Sequence, residues 1–528
     1  MEFLVPSSLD PDHLPAELAR CGYRVREGRK SRHRFRLFDT FDWRLLSHGL
    51  ELIQRRGRFH LHAADDGREI AYAPAAGSGK RAWLSHHFPD GPLRDALGKI
   101  IEIRAVLPLV DVTGEERTWE IRNADDKRVL RCRRRALHAA RVTWRGDPHP
   151  PPPTDLPPPS PLHLLCVEPV TGYSKPVRDA ETILDDQGLT HSTDRTEELF
   201  RQAGFDPAAP AKKPVLGLQP DWPAARATLE ILRHQYRVAR LNERGVLADL
   251  DTEFLHDFRV ALRRSRSAMA RIKKSLPPAA TRHFRARLAE VARTSNRLRD
   301  LDVHLLQRDA YRQMLPPELH AGLDTFFALL AEERQHEFRK VVRYMRGADY
   351  RRTMDEWGAF LAVHDPQLPE AAGANALTPV RPLAEKTIAK ACSRLLRRGR
   401  TIGPNAPDEA LHALRLDCKK LRYLFEFFAE LFPEGEIRPL IKRAKRLQDL
   451  LGEFNDLFVQ RETLRHGLLR LAGDGPGSPP AEAIAAAAAA GGLITHLERR
   501  RSQVRRNFAK TFTAFEQCRH RRRFCPDD

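Results

Sequence analysis

A chain of 528 residues with 41% hydrophobic and 30% charged residues is too long for one core and apolar enough for two or three. Its longest apolar stretch, 484–490, is short and alanine-rich, so no segment reaches the about 18 apolar residues of a membrane-spanning helix. The formal net charge of +20 is unevenly placed: residues 1–220 carry 34 Lys/Arg against 31 Asp/Glu, a net of +3, and residues 221–528 carry 56 against 39, a net of +17.

A local charge of that size calls for an anionic partner, and nucleic acid, an acidic membrane surface and polyphosphate are the classes to weigh. The N-terminal MEFLVPSSLD has neither the basic nor the apolar region of a signal peptide, and the seven cysteines include no CxxC pair. A reducing cytoplasm is the expected location.

In chain order, the first 205 residues read as short strands separated by turns: 33–40, 49–56, 59–64, 68–74, 117–123 and 128–134. Several alternate apolar and polar residues, as strands with one covered face do. Helices are predicted at 14–21 and 177–187. The proline-rich segment 147–161 cannot join a ladder and is expected to loop outward. Residues 206–223 form a linker by their proline content.

Beyond the linker the strand signals stop. Amphipathic segments predict eight helices, at 224–248, 252–275, 279–307, 317–346, 380–399, 408–431, 436–467 and 492–517, which by count make two four-helix bundles. The Ala/Gly/Pro stretch 471–492 is expected to be a loop. The fold class is therefore multidomain: an α+β N-terminal domain over 1–205 and an all-α domain over 224–528, with repeats at about 224–375 and 376–520.

The repeat carries the chemistry. HDFRVALRRSRSAMARI (256–272) superposes on HALRLDCKKLRYLFEFF (412–428) at an offset of 156 residues. His256 then matches His412, Arg259 matches Arg415, Arg263 and Arg264 match Lys419 and Lys420, and Arg266 matches Arg422. Leu255, Phe258, Leu262, Met269 and Ile272 match Leu411, Leu414, Cys418, Phe425 and Phe428. The same offset places Asp300 on Asp456, Arg282 on Arg438 and Arg287 on Arg443.

Residues 256, 259, 263 and 266 are spaced by three or four, so one helix presents cations about one turn apart, roughly 5–6 Å, beside an apolar stripe. Such a comb suits a linear polyanion: arginine forks onto two oxygens and lysine acts as a point charge. A basic stripe on one helix is ordinarily a solvated face, and the two aspartates could serve as ion-pair partners or the two histidines as interhelical hydrogen-bonders. Repetition of the whole stripe favours a ligand.

The pattern H-x2-R-x3-RR-x-R followed by LRDLDV, with its partner H-x2-R-x3-KK-LRY and LQDLLGEFND, resembles the CHAD family, the conserved-histidine α-helical domain. The resemblance covers about 224–517. It implies two pseudo-symmetric four-helix bundles and a basic central groove that binds inorganic polyphosphate, often on polyphosphate granules. It also implies that His256, Arg259, Arg263, Arg264, Arg266, His412, Arg415, Lys419, Lys420 and Arg422 line that groove. Arg282, Arg287, Arg438 and Arg443 join the candidate set through the repeat.

Upstream, FDTFDWRLLSHGLELIQRR (38–56) and LCVEPVTGYSK (165–175) resemble the CYTH or triphosphate-tunnel family, which implies an antiparallel β-barrel with a tunnel. The ExExK signature of that family is not intact, because Leu4 and Pro6 replace its second acid and its lysine, and Ile53 replaces an arginine. Glu168 remains as a late acid, with Arg55 and Arg131 as phosphate contacts. Without converging carboxylates, catalysis is not expected, although a metal-dependent triphosphatase or polyphosphatase is the enzymatic alternative.

No glycine-rich phosphate loop, G-x-S-x-G elbow or H-E-x-x-H pair occurs, and His86-His87 reads as a loop feature. No metal site or cofactor is expected. Aromatic content of 7% and the absence of a nucleic-acid-binding module leave at most salt-sensitive, sequence-blind nucleic-acid binding. The expected partner is inorganic polyphosphate, with no membrane.

Overall fold

The computed structural model describes residues 2–6, 9–10, 12–75, 80–144, 147–149, 160–189, 195–207, 215–362, 373–472, 481–518 and 524. They divide into two compact units, residues 1–212 with 241–254, and residues 213–240 with 255–528. Most of the proline-rich segment 147–161 and part of the linker 206–223 lie outside the described residues.

The first unit is built on strands β1 (Glu2–Val5), β2 (Arg24–Glu27), β3 (Ser31–Thr40), β4 (Leu50–Arg55), β5 (Arg58–Ala63), β6 (Glu69–Pro74), β7 (Val106–Arg122), β8 (Arg128–Arg141) and β9 (Leu162–Pro169). Between and after them lie helices α1 (His13–Arg20), α2 (Arg44–Ser47), α3 (Pro92–Ile101), α4 (Ser174–Asp186) and α5 (Arg195–Gln202). All strand pairings are antiparallel, in the order β1-β9-β8-β7-β3-β4-β5-β6, with β2 beside β7. Among the described residues β1 and β6 do not pair, so the sheet is open where a closed barrel was expected.

Alternation sorts its two faces. Phe3 and Val5 pack with Leu14, Leu18, Ala180 and Leu184 of α1 and α4, while Leu52, Phe59 and Leu61 pack with Trp83, Leu93 and Leu97 beside α3. Glu2 and Glu51 therefore point to the opposite face, which encloses a cavity of about 690 Å³. In the FDTFDWRLL motif the Asp39 carboxylate is fully buried and accepts the backbone N–H groups of Thr40, Leu45 and Leu46. Its part in this motif is to hold the turn into α2, where Trp43 sits at φ 57°.

The second unit is helical: α6 (Ala224–Ala248), α7 (Thr252–Arg271), α8 (Pro278–Thr294), α9 (Asn296–Leu305), α10 (Arg308–Met314), α11 (His320–Met345), α12 (Ala348–Ala362), α13 (Val380–Arg400), α14 (Asp408–Phe427), α15 (Glu434–Ala472), α16 (Ala481–Arg506) and α17 (Phe508–Glu516). Residues 241–254, which carry the end of α6 and the start of α7, group with the first unit.

Moving Thr252–Arg271 by 156 residues gives the bounds of Asp408–Phe427, so the repeat is structural. All ten apolar positions of the superposed stripes are buried. Cys392, inside α13, is disulfide-bonded, whereas Cys132, Cys166, Cys418 and Cys518 are buried and free.

Twelve α-helices among the described residues replace the expected eight. The expected helix 279–307 is split at Ser295, and α12 was not foreseen. The larger correction concerns 471–492, expected as a loop: residues 481–492 are helical, and 473–480 lie outside the described residues. Ala483, Ala486, Ala489 and Ala490 are buried, and α16 packs on α11. A Cβ on Gly322 of α11 would stand 2.1 Å from the Ala485 carbonyl oxygen. The alanine run is therefore the small-residue side of a close helix–helix contact, and its weak hydrophobicity reflects lack of room.

Candidate functional site

Within the helical unit, α7 and α14 face one another across the repeat. Arg263 Nε donates to the Tyr423 hydroxyl at 2.8 Å, and Arg264 pairs with Glu426. The Arg264 and Arg422 guanidiniums lie 5.6 Å and 5.4 Å from the Tyr423 ring centroid, within cation–π range. Arg422 also donates to Gln448 Oε1 at 2.6 Å and to Glu426 Oε1 at 2.6 Å. Glu426 and Tyr423 thus hold three of the stripe's arginines. Moving them back by 156 residues gives Ala270 and Ser267, so the first copy has no equivalent acid or phenol.

Lys419 is the repeat counterpart of Arg263 and has no ion-pair partner among the described residues. Burial, with Arg263, Arg415 and Arg422 around it, pushes its ammonium down to about 7. Arg415 lies 3.6 Å from Asp456, and the Asp300 carboxyl is shifted upward by desolvation despite Arg259, Arg297 and Arg299 nearby. The charge of Asp456 reaches Asp300, so the two aspartates related by the repeat share one neighbourhood.

Arg259 is more deeply committed. Its guanidinium donates to the Ala292 carbonyl at 2.7 Å, Ser295 Oγ at 2.8 Å and Asn296 Oδ1 at 2.8 Å, which stitches the break between α8 and α9. Burial pushes it down to about 10, still charged at neutral pH. Burial also lowers Arg266, which stands near Arg285 and Arg293. His256 is half-buried on α7, and His412 is exposed with Nδ1 2.9 Å from Asn455 Oδ1.

The outer arginines do different work. Arg287 pairs with Glu290 at 2.9 Å and reaches Asp349 and Thr353 of α12 at 2.6 Å each, and its counterpart Arg443 donates to the Ala514 carbonyl of α17. Both tie one helix of their repeat to another. Arg282 is exposed, and Arg438 is exposed and paired with Glu434.

Sequence reasoning missed a basic cavity of about 350 Å³ beside α13. Arg271, Lys273, Lys386, Lys390, Arg394 and Lys420 line it, with Asp417 as its one carboxylate. Asp417 is already paired with Arg398 and with Lys420 Nζ at 3.2 Å. Lys386, Lys390 and Arg394 recur every four residues, which puts them on one face of α13. That spacing was legible. The repeat concealed it, because the positions 156 residues earlier are Glu230, His234 and Val238. Burial, with Arg237 and Arg264 nearby, pushes His234 down to about 4, so the equivalent place in the first copy holds a neutral imidazole at pH 7.

In the first unit the carboxylates do converge, contrary to expectation. Glu2, Glu51 and Glu168 line the sheet cavity together with His33, Arg55, His62, Arg133, Arg135 and Arg195. Each acid is held by arginine: Arg195 reaches Glu2 at 3.1 Å and Glu51 at 2.7 Å, Arg133 pairs with Glu168, and Arg131 lies 3.5 Å from Glu168. Despite burial, which acts upward, Arg195 and Thr196 hold the Glu51 carboxyl below the ordinary carboxylate range. Arg195 and Glu51 were not among the residues singled out, because neither lies in the quoted signatures at an expected site position.

Residues 230–465 match the family model of the CHAD domain. The chain is similar to the crystal structure of the CHAD domain from the plant Ricinus communis, at 23% identity and TM-score 0.48, over 58% of this chain and 97% of that one. It is also similar to PptA from Streptomyces chartreusis, at 19% identity and TM-score 0.42, over 55% and 99%. A search of curated proteins finds no match.

Proposed function

We propose, from the premise that this chain carries a CHAD domain over residues 230–465, that its helical unit binds inorganic polyphosphate non-catalytically along the α7–α14 face. The observation that carries this reading is the crowding of Arg263, Arg415 and Arg422 around the half-buried Lys419. Like charges brought together at partial burial cost stability, and an arriving anion reverses the sign of that cost. Arg259, Arg264, Arg266 and Lys420 extend the basic surface, and the cavity lined by Lys386, Lys390 and Arg394 adds to it. None of these groups is arranged to read base edges, so recognition rests on charge density and helical pitch.

The test is a titration of long-chain polyphosphate against the full chain with duplex DNA as competitor, at about 0.15 M salt. Binding that excess DNA does not displace supports the reading. Equal or tighter DNA binding makes the charge generic and ends it. The family resemblance extends the proposal to a cytoplasmic location on polyphosphate granules.

A second reading has its own support: the sheet cavity gathers acids and arginines of the kind that handle metal-bound phosphates. Metal-dependent release of phosphate from tripolyphosphate or polyphosphate, lost on replacing Glu51 or Glu168, would establish it.

A further inference from the structure

We propose that His60, His62 and Glu69 form a binding site for a divalent transition-metal ion, of the zinc type, on the cavity side of the β5–β6 ribbon. The site is independent of the polyphosphate reading.

Two imidazoles at i and i+2 on a strand share one face. In β5 the rings of His60 and His62 are nearly parallel, 4° apart, with centroids separated by 6.0 Å. The third ligand is brought by an irregularity. His60 pairs with Tyr72 and Leu61 with Ala71, and the register then shifts so that His62 pairs with Glu69. Without the shift His62 would oppose Ile70, and Glu69 would fall on the other face of the ribbon. The bulge leaves Ile70, a large apolar residue, 43% exposed and delivers a carboxylate to the imidazoles.

Glu69 Oε2 lies 2.6 Å from His60 Nδ1 and 3.8 Å from His62 Nε2. One ligand atom from each of the three residues lies within 4.8 Å of the others. Donors at about 2.0–2.2 Å from one ion stand at most about 4.4 Å apart, so small side-chain rotations gather the two nitrogens and one oxygen around it, leaving a position for water. The donor set is borderline, which selects zinc, nickel or copper over magnesium and calcium. Both imidazoles are mostly shielded, at 16% and 18% side-chain exposure, while Glu69 at 45% leaves a path for entry. Directly across β4–β5 from His62 stands Glu51, a carboxylate on the same face, the type of group that orients a metal-bound imidazole.

The experiment uses the full chain, stripped with a chelator and dialysed against Zn²⁺, with metal content and competition by a chromophoric chelator as readouts. Wild-type protein is expected to take up one equivalent that Mg²⁺ does not displace. His62→Asn is expected to weaken uptake at least about tenfold, and the near-isosteric Glu69→Gln to weaken it while leaving the circular dichroism unchanged. The adjacent pair His86 and His87, with rings 4.4 Å apart, is a competing source of zinc affinity. Uptake that persists in His60→Asn/His62→Asn, or that disappears only in His86→Asn/His87→Asn, overturns the proposal.

Discussion

Arg263 Nε and the Tyr423 hydroxyl meet at 2.8 Å, although the two residues lie in different copies of the repeat and 160 positions apart. The bond fixes the guanidinium while leaving its other donors for an anion. Tyr423→Phe is expected to lower stability by about 0.5–1.5 kcal/mol, the usual net value of one hydrogen bond. Its effect on polyphosphate affinity should stay below about tenfold, whereas Arg263→Met should exceed that. Urea denaturation and a binding titration on both variants check the pair.

Replacing Arg263, Arg266, Lys419 and Arg422 with Ala should remove most polyphosphate binding and leave far-UV circular dichroism at the wild-type level. Unchanged affinity in the folded quadruple variant would sink the assignment of the α7–α14 face.

Lys419 makes the pH dependence specific. Its ammonium stands at about 7 in the free protein, and a bound polyanion raises it. The contribution of this residue to binding is therefore full below about pH 7 and is lost as pH rises through the bound-state value. Affinity should fall on going from about pH 6 to pH 9, and Lys419→Arg should flatten that profile. For folding the sign is opposite. The native value lies below the unfolded one, so at pH below about 7 carrying the proton costs stability, and Lys419→Met should raise Tm without ligand while weakening binding.

The cavity beside α13 is tested by salt. If Lys386, Lys390 and Arg394 touch the polyanion, each replacement by Ala should lower the slope of log affinity against log salt by about 1. An unchanged slope in the triple variant confines the ligand to the α7–α14 face.

Gly322→Val should be among the more damaging single changes in the helical unit. Its Cβ would meet backbone of α16, which has no flexible end to give way. A loss of about 1–3 kcal/mol is expected, read as a fall in Tm.

Much of this organisation was legible because it is periodic. The strands of the first unit alternate, the helices of the second repeat every three or four residues, and the offset of 156 residues places α7 on α14. The apolar stripe from Leu255 to Ile272 is buried as its spacing required. Where local pattern misled, packing had overridden it. The alanine run of α16 is too weakly hydrophobic to announce a buried helix, and only the proximity of Gly322 makes it one. The division at Ser295 depends on Arg259, 36 residues away, supplying donors to the exposed end of α8.

The sequence alone was enough to propose a polyanionic ligand, because net charge and the pitch of a cationic stripe are local properties summed along a chain. What each cation does is a matter of which groups surround it, and that is decided in three dimensions. Arg287 and Arg443 resemble their neighbours in sequence but are spent on holding α12 and α17. Lys419 is left among three guanidiniums because its counterpart across the repeat, and not Lys419 itself, meets Tyr423. Coulomb interaction and desolvation act through space over a few ångströms, so a charge's function is written in contacts that join residues distant in the chain.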